Sequence, residues 1–237
     1  MPIASLDYEG AKLAMEANTP IEQAYRVKAV AKEPWTASFI ESLPAGSIFW
    51  DLGANVGPYS LIAASRGLFV VAVEPAFFNW ATLCRNLAMN NFLDQGVQVQ
   101  AALAQAAGYT YLHYTDTRSG AASHTLGGAR KSTYHKQIVP VTTWDTLLAS
   151  LLASLPLPPG RAHYAKVDID GGELGLLAGA KTVLGLLAGA IVEMQLATEP
   201  QIIAALGEHG LVLAERYDKR EGKLIGNVCY GRFVREV

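Results

Sequence analysis

Cysteine is nearly absent. Cys84 and Cys229 are the only two among 237 residues, too few for a disulfide scaffold and without the CxxC spacing of a zinc site. Two free thiols in a reducing cytosol are the expectation, and MPIASLDYEG lacks the basic start and apolar run of a secretory leader, so a cytoplasmic location is expected. Charge of one sign is not in excess either. Lys and Arg number 19 against 21 Asp and Glu, a formal net charge of -2, which excludes a global pull toward nucleic acid or an anionic membrane. Long apolar runs are missing except from Leu174 to Val192, where Lys181 and Gly175, Gly179, Gly185 and Gly189 argue against a membrane span. No HxH or HExxH pattern occurs, so no metal site is expected. A Ser/Gly-rich linker is also lacking. What remains is 51% hydrophobic, enough for one sizeable core.

From about residue 47 short apolar runs alternate with helical stretches, the pattern of a doubly wound α/β sheet. SIFWDLG (47–53) and LFVVAVEP (68–75) read as buried parallel strands, with a helix over 55–67 between them. A helix over 79–90 and a strand VQVQAAL (97–103) follow. YTYLHYT (109–115) reads as a strand and 117–137 as a surface loop. Beyond it the pattern gives a strand entering a helix at 138–148, a strand YAKVDID (164–170) and a helix over 172–187. The last elements are a strand AIVEMQ (190–195), a helix over 199–209, and strands LVLAER (211–216) and NVCYGRF (227–233) joined as an antiparallel hairpin. The expected fold is therefore a Rossmann-like, mostly parallel sheet ending in that hairpin, over residues 46–237. Residues 1–45 are expected to form a helical cap or extension.

Asp51-Leu52-Gly53-Ala54-Asn55-Val56-Gly57 places a strand end, a glycine turn and a helix start in that order, where such sheets bind ligands. Its leading acid is at odds with a dinucleotide fingerprint, which puts glycine there and would bring a pyrophosphate against the carboxylate. A ligand bearing both an ammonium and a carboxylate suits the loop better, and S-adenosylmethionine carries both. Glu74, ending the next strand before Pro75, is placed to accept two hydrogen bonds from ribose hydroxyls. Leu103 and Gln105 are placed to flank the adenine, and Tyr59 to touch the cofactor from the first helix.

DLGANVGPYSLIAA, VVAVEP, NLAMNN, PVTTWDTLL and KVDIDGGELGLLAGA, in that order, resemble the FkbM-type family of class I S-adenosylmethionine-dependent methyltransferases. The resemblance implies a seven-stranded sheet, S-adenosylmethionine as donor, and a hydroxyl acceptor on a sugar, glycan, lipid or natural product. It makes Asp51, Gly53, Asn55, Gly57 and Glu74 cofactor residues, and sets Asp168 beside the methyl group. Gln105 departs from the Asp common after the third strand, and Asp170 and Gly172 replace a common Glu and Ala.

Asp168 has two open roles, orienting or deprotonating the acceptor and binding the cofactor ammonium. Glu193, an acid inside an otherwise apolar strand, either lines the acceptor pocket or makes a structural hydrogen bond. His124 and His135 belong to the long loop, within reach of the site, and Arg130, Lys131 and Lys136 form a small basic cluster there. No aromatic interleaving supports nucleic-acid binding, and nothing speaks to oligomeric state. Two other readings stay open: an S-adenosylmethionine-binding protein without activity, and a nicotinamide-dependent oxidoreductase.

Overall fold

A computed structural model describes residues 2–128, 135–155, 160–220, 223–224 and 226–236. Strands β1 (Ile3–Ser5) and β2 (Ala14–Glu16) pair antiparallel, followed by a single π-helical turn at Glu22–Arg26 and helices α1 (Ala29–Lys32) and α2 (Pro34–Ser42). Then come β3 (Ile48–Leu52), α3 (Pro58–Ser65), β4 (Phe69–Val73), α4 (Phe77–Met89) and β5 (Gly96–Val99). A central group follows: β6 (Ala102–Leu103), β7 (Gly108–Tyr114), β8 (Thr125–Leu126), β9 (His135–Thr142) and α5 (Trp144–Ser154). The remainder is β10 (His163–Val167), α6 (Glu173–Ala178), α7 (Lys181–Leu186), β11 (Leu187–Gln195), α8 (Glu199–Gly207) and β12 (Leu211–Tyr217), then the two-residue strands β13 (Lys219–Arg220) and β14 (Lys223–Leu224), and β15 (Val228–Arg235).

The main sheet has seven strands in the order β12-β15-β11-β10-β3-β4-β5. Strands β11, β10, β3, β4 and β5 run parallel, and β15 lies antiparallel between β11 and β12. This is the Rossmann-like class expected from the alternating pattern. Both faces are covered, which is why the central strands read as continuous apolar runs. Ile48, Trp50 and Leu52 of β3 point into a core shared with α5, α6, α7 and α8. Phe49 points the other way, into a core built with α2, α3, α4 and the N-terminal segment.

Four expectations need correction. Residues 97–103 are not one strand: β5 stays in the main sheet, while β6 leaves it to pair with β9. The expected loop 117–137 contains β8 and the start of β9, which with β6 and β7 make a separate four-stranded sheet. The helix expected over 172–187 is two, α6 and α7, broken at Gly179 and Ala180, and β11 begins at Leu187 rather than 190. Residues 1–45 carry a strand pair as well as helices. Arg130 and Lys131 of the basic cluster lie outside the described residues. Among the described residues no helix is long and apolar enough to cross a membrane.

Candidate functional site

Side chains alternate along a strand, and neighbours in register on adjacent strands share a face. On the face opposite Trp50, the carboxyl ends of three adjacent strands exchange apolar side chains for charged ones. Asp51 of β3 pairs in register with Lys166 of β10. Val167 of β10 pairs with Val192 of β11, so Asp168 and Glu193 are each the next residue along their chains. Lys166 Nζ lies 3.1 Å from Asp168 Oδ2 and 3.9 Å from Asp51 Oδ1. Burial opposes its charge, but Asp168, Asp51 and Glu33 outweigh that and raise its pKa. Burial pushes Asp168 up too, yet Lys166 overcomes it and holds this carboxyl below its ordinary range. Asp51 is fully buried, accepts a 2.6 Å bond from Ser60 Oγ, and is shifted upward because burial outweighs the more distant lysine.

Glu193 stands differently. Its Oε2 accepts a 2.7 Å bond from the Tyr230 hydroxyl, its register partner on β15, and Tyr230 packs on Trp35 of α2 with ring centroids 5.2 Å apart. Burial, then the nearby Asp168 charge, push Glu193 up to about 8. Asp170, in a left-handed conformation, is pushed up to about 6 for the same two reasons. Glu173 Oε1 accepts from the backbone N–H groups of Ile169 and Gly171 and so fixes the turn carrying Asp170.

The glycine loop leaves β3 at Gly53, where φ is +78° and a Cβ would collide with the carbonyl oxygen of Asp168. Only glycine lets the ends of β3 and β10 close this tightly. Asn55 follows with φ 53°. Its N–H donates to Glu74 Oε2 at 2.9 Å, and the Ala76 N–H donates to Glu74 Oε1 at 2.9 Å. Each Glu74 oxygen retains a lone pair for a ligand. Burial raises this carboxyl to about 7.

A strap from the long middle segment crosses the loop. Asn55 Nδ2 and Asn79 Nδ2 donate to the Ala121 carbonyl at 2.8 and 3.0 Å, and the Gly120 N–H donates to Asn79 Oδ1 at 2.8 Å. Arg26 donates through Nε and Nη2 to the Gly120 carbonyl, Thr19 Oγ1 donates to the Ser119 carbonyl, and the Ser123 N–H donates to Asp170 Oδ2. Strap, loop and strand ends enclose a cavity of about 880 Å³, large enough for a nucleoside-sized ligand with space beyond it. Among the described residues no group of three His, Cys, Asp or Glu is arranged to hold a metal ion.

The family model described as the methyltransferase FkbM domain matches residues 51–213. The chain belongs to the FkbM methyltransferase family. A curated relative, methyltransferase sdnD of Sordaria araneosa, is 28% identical over 199 residues, covering 72% of this chain and 76% of its own. Among solved structures the chain is similar to a precorrin-6y C5,15-methyltransferase from Geobacter metallireducens GS-15, with 16% identity, a TM-score of 0.48 and coverage of 86% and 87%. It is also similar to magnesium protoporphyrin IX methyltransferase from Synechocystis PCC 6803, with 14% identity, a TM-score of 0.47 and coverage of 93% and 86%. The protein is a methyltransferase, and its cofactor is S-adenosylmethionine.

The FkbM cavity suits that cofactor. Glu74 presents a buried carboxylate for paired hydroxyls, and Leu103, Leu112 and Leu126 supply an apolar wall for a flat base. Gly53, Asn55, Glu74, Pro75, Leu103, Asp168 and Glu193 all line this one cavity. Ala54 and Tyr59 instead border a separate pocket of about 20 Å³, where the Tyr59 hydroxyl donates to the Ala29 carbonyl. Asp51 lies behind the cavity wall, against Lys166, and Gly57 packs on Leu83 of α4. Gln105 is exposed and does not line the cavity. Sequence reasoning did not single out Lys166, Arg26 or Asn79 as site residues. The KVDID segment held a signal for the first, a lysine alternating with acids on one strand face.

Proposed function

We propose that this FkbM methyltransferase alkylates a hydroxyl oxygen of a small-molecule or glycan acceptor, with Glu193 as the proton acceptor and Asp168 as the orienting group. The observation that carries the reading is Glu193, a carboxyl on the cavity wall whose pKa of about 8 matches its proton affinity to a neutral or mildly basic medium. When bound, S-adenosylmethionine supplies an electrophilic sulfonium methyl group and leaves as a neutral thioether. An alcohol must shed its proton as its oxygen is alkylated, and Glu193 in its ionised form receives that proton while Tyr230 holds the other end of the carboxylate in place. Asp168, kept ionised by Lys166, offers a hydrogen-bond acceptor and too weak a base to compete. It serves equally to draw the cofactor ammonium to the end of β10.

Residues 1–45 act as the cap of the 46–237 domain. Tyr25, Arg26 and Lys32 contribute to the cavity wall, and Arg26 grips the strap. Positioning an acceptor in line with the methyl carbon supplies much of the rate enhancement in such a displacement.

The test is incubation with methyl-tritiated donor and a panel of sugars, glycans and hydroxylated natural products, locating the label by mass spectrometry. Label on oxygen, with a rate that rises with pH to a plateau above about 8 and loses that dependence in Glu193→Gln, supports the reading. Label on carbon or nitrogen overturns it.

A further inference from the structure

Gln105, the residue placed by chain order to meet the adenine, is exposed outside the cavity, so the polar edge of the base needs another partner. The wall beyond Glu74 and Pro75 is made by Ala101, by the four-stranded sheet through Ala102 and Leu103 of β6, Leu112 of β7 and Thr125 and Leu126 of β8, and by His124 just before β8. Only two side chains in this apolar stretch carry polar atoms, and both have unsatisfied ones. His124 Nδ1 and Thr125 Oγ1 are sealed from water with no hydrogen-bond partner among the described residues. Buried polar groups are satisfied in the great majority of cases, so these two mark the part of the cavity wall where the protein's own hydrogen bonding is incomplete.

We propose that His124 reads the 6-amino edge of the cofactor's adenine, replacing the residue that follows the third strand of the main sheet. Two further features fit. The His124 ring packs on Tyr114 at a centroid distance of 4.8 Å, which fixes its plane from behind. Burial lowers its pKa to about 4, so at neutral pH the imidazole is uncharged, with one nitrogen free to accept a hydrogen bond from an amino group and no positive charge set against the sulfonium. The backbone also holds the residue in place. Ser123, next to it, donates to Asp170 and is left-handed at φ 61°, and β8 begins at Thr125.

The experiment is calorimetric titration of the full chain with S-adenosylhomocysteine and with its purine analogue lacking the 6-amino group. Wild-type protein should prefer the adenine compound by about tenfold, the range of one neutral hydrogen bond. His124→Phe, which keeps a ring against Tyr114, should bind the two compounds equally, and His124→Gln should restore part of the preference. Melting curves of each variant show that it is folded before it is titrated. Gln105→Ala should leave the preference unchanged. A preference retained in a folded His124→Phe, or lost in Gln105→Ala, overturns the proposal. Wild-type protein that binds neither compound overturns the placement of the cofactor in this cavity, a failure distinct from that of His124.

Discussion

Lys166 sits opposite Asp51 on an adjacent parallel strand, its ammonium 3.9 Å from Oδ1, while reaching Asp168 on its own strand at 3.1 Å. One cation thus serves two carboxylates in a water-poor interior, and the nearer one takes most of its field. This is why the two acids shift in opposite directions. Removing the lysine leaves Asp51 fully buried with no counter-charge and takes from Asp168, half-buried on the cavity wall, its nearest cation. Lys166→Met is expected to cost about 3–5 kcal/mol of unfolding free energy in urea, with part recovered in Lys166→Met/Asp51→Asn. A loss below about 1 kcal/mol would show that the two acids do not depend on it.

Glu193 ties stability to pH. Its folded pKa of about 8 exceeds the ordinary 4.5, so the native state holds a proton that the unfolded state has released between those values. Its contribution is complete below about pH 4.5 and is lost as pH rises through about 8. Glu193→Gln should therefore be more stable than wild type at pH 9, by on the order of 1–3 kcal/mol, with little difference at pH 4.5. Parallel melting curves across that range with no convergence at low pH would be incompatible with a buried, proton-holding carboxyl. If Glu193 is the base, the same variant should lose about 100-fold or more in turnover.

Cofactor affinity should depend on Glu74. Its carboxylate form accepts hydroxyl hydrogen bonds, and it takes up a proton at about pH 7. Affinity for S-adenosylhomocysteine should fall as the pH drops from 8 to 6, and Glu74→Ala should weaken binding at pH 8 by about 1–3 kcal/mol. Calorimetry on Glu74→Gln should show the pH dependence gone. A dependence that persists in that variant would assign it to another group.

Gly53 and Gly67 share a left-handed backbone but not their surroundings. No atom lies within 4 Å of a Cβ at Gly67, whereas at Gly53 the Asp168 carbonyl occupies the space. Gly67→Ala should cost about 1–2 kcal/mol from backbone strain alone. Gly53→Ala should cost more than that and also weaken cofactor binding, because the ends of β3 and β10 must part. Equal costs in thermal denaturation would refute the close approach.

Arg26→Met should loosen the strap without unfolding the sheet. Its guanidinium donates twice to the Gly120 carbonyl. Hydrogen exchange at Gly120 and Ala121 is expected to accelerate several-fold while β3 and β10 exchange as in wild type. Unchanged exchange at those two amides would remove Arg26 from the clasp.

What the sequence made legible follows from how local each feature is. IFWDL and FVVAV declare themselves as buried strands because every residue in them faces a covered side of the sheet. DLGANVG reads as a ligand loop because its turn chemistry lies within seven consecutive positions. Partner choice is not local. Nothing in VQVQAAL shows that Ala102 and Leu103 pair with Val141 and Thr142 rather than continuing beside β4. Gly179 looked like one more weak residue in a helix, but a Cβ there would stand 2.6 Å from the Ala104 carbonyl, so it marks a break enforced by a distant segment. At the site, Glu74 and Glu193 were readable as acids ending or interrupting apolar strands. The exclusion of Gln105 was not, because it depends on where the four-stranded sheet docks.

The clasp over the glycine loop also ties together distant parts of the chain. Thr19 and Arg26 meet the strap across 100 and 94 residues of chain, far longer separations than those within the βα units beneath it. Closing so long a loop costs entropy that is repaid only once both ends have a surface to dock on. Thr19 and Arg26 must wait for the strap to follow, 100 and 94 residues further on, before either can engage its partner. Beneath it Asp51 and Lys166 pair across a longer stretch still, so the clasp and the centre of the sheet close over comparable lengths of chain, and the cavity is walled on all sides only when residues 19–26 and the strap have both found their places.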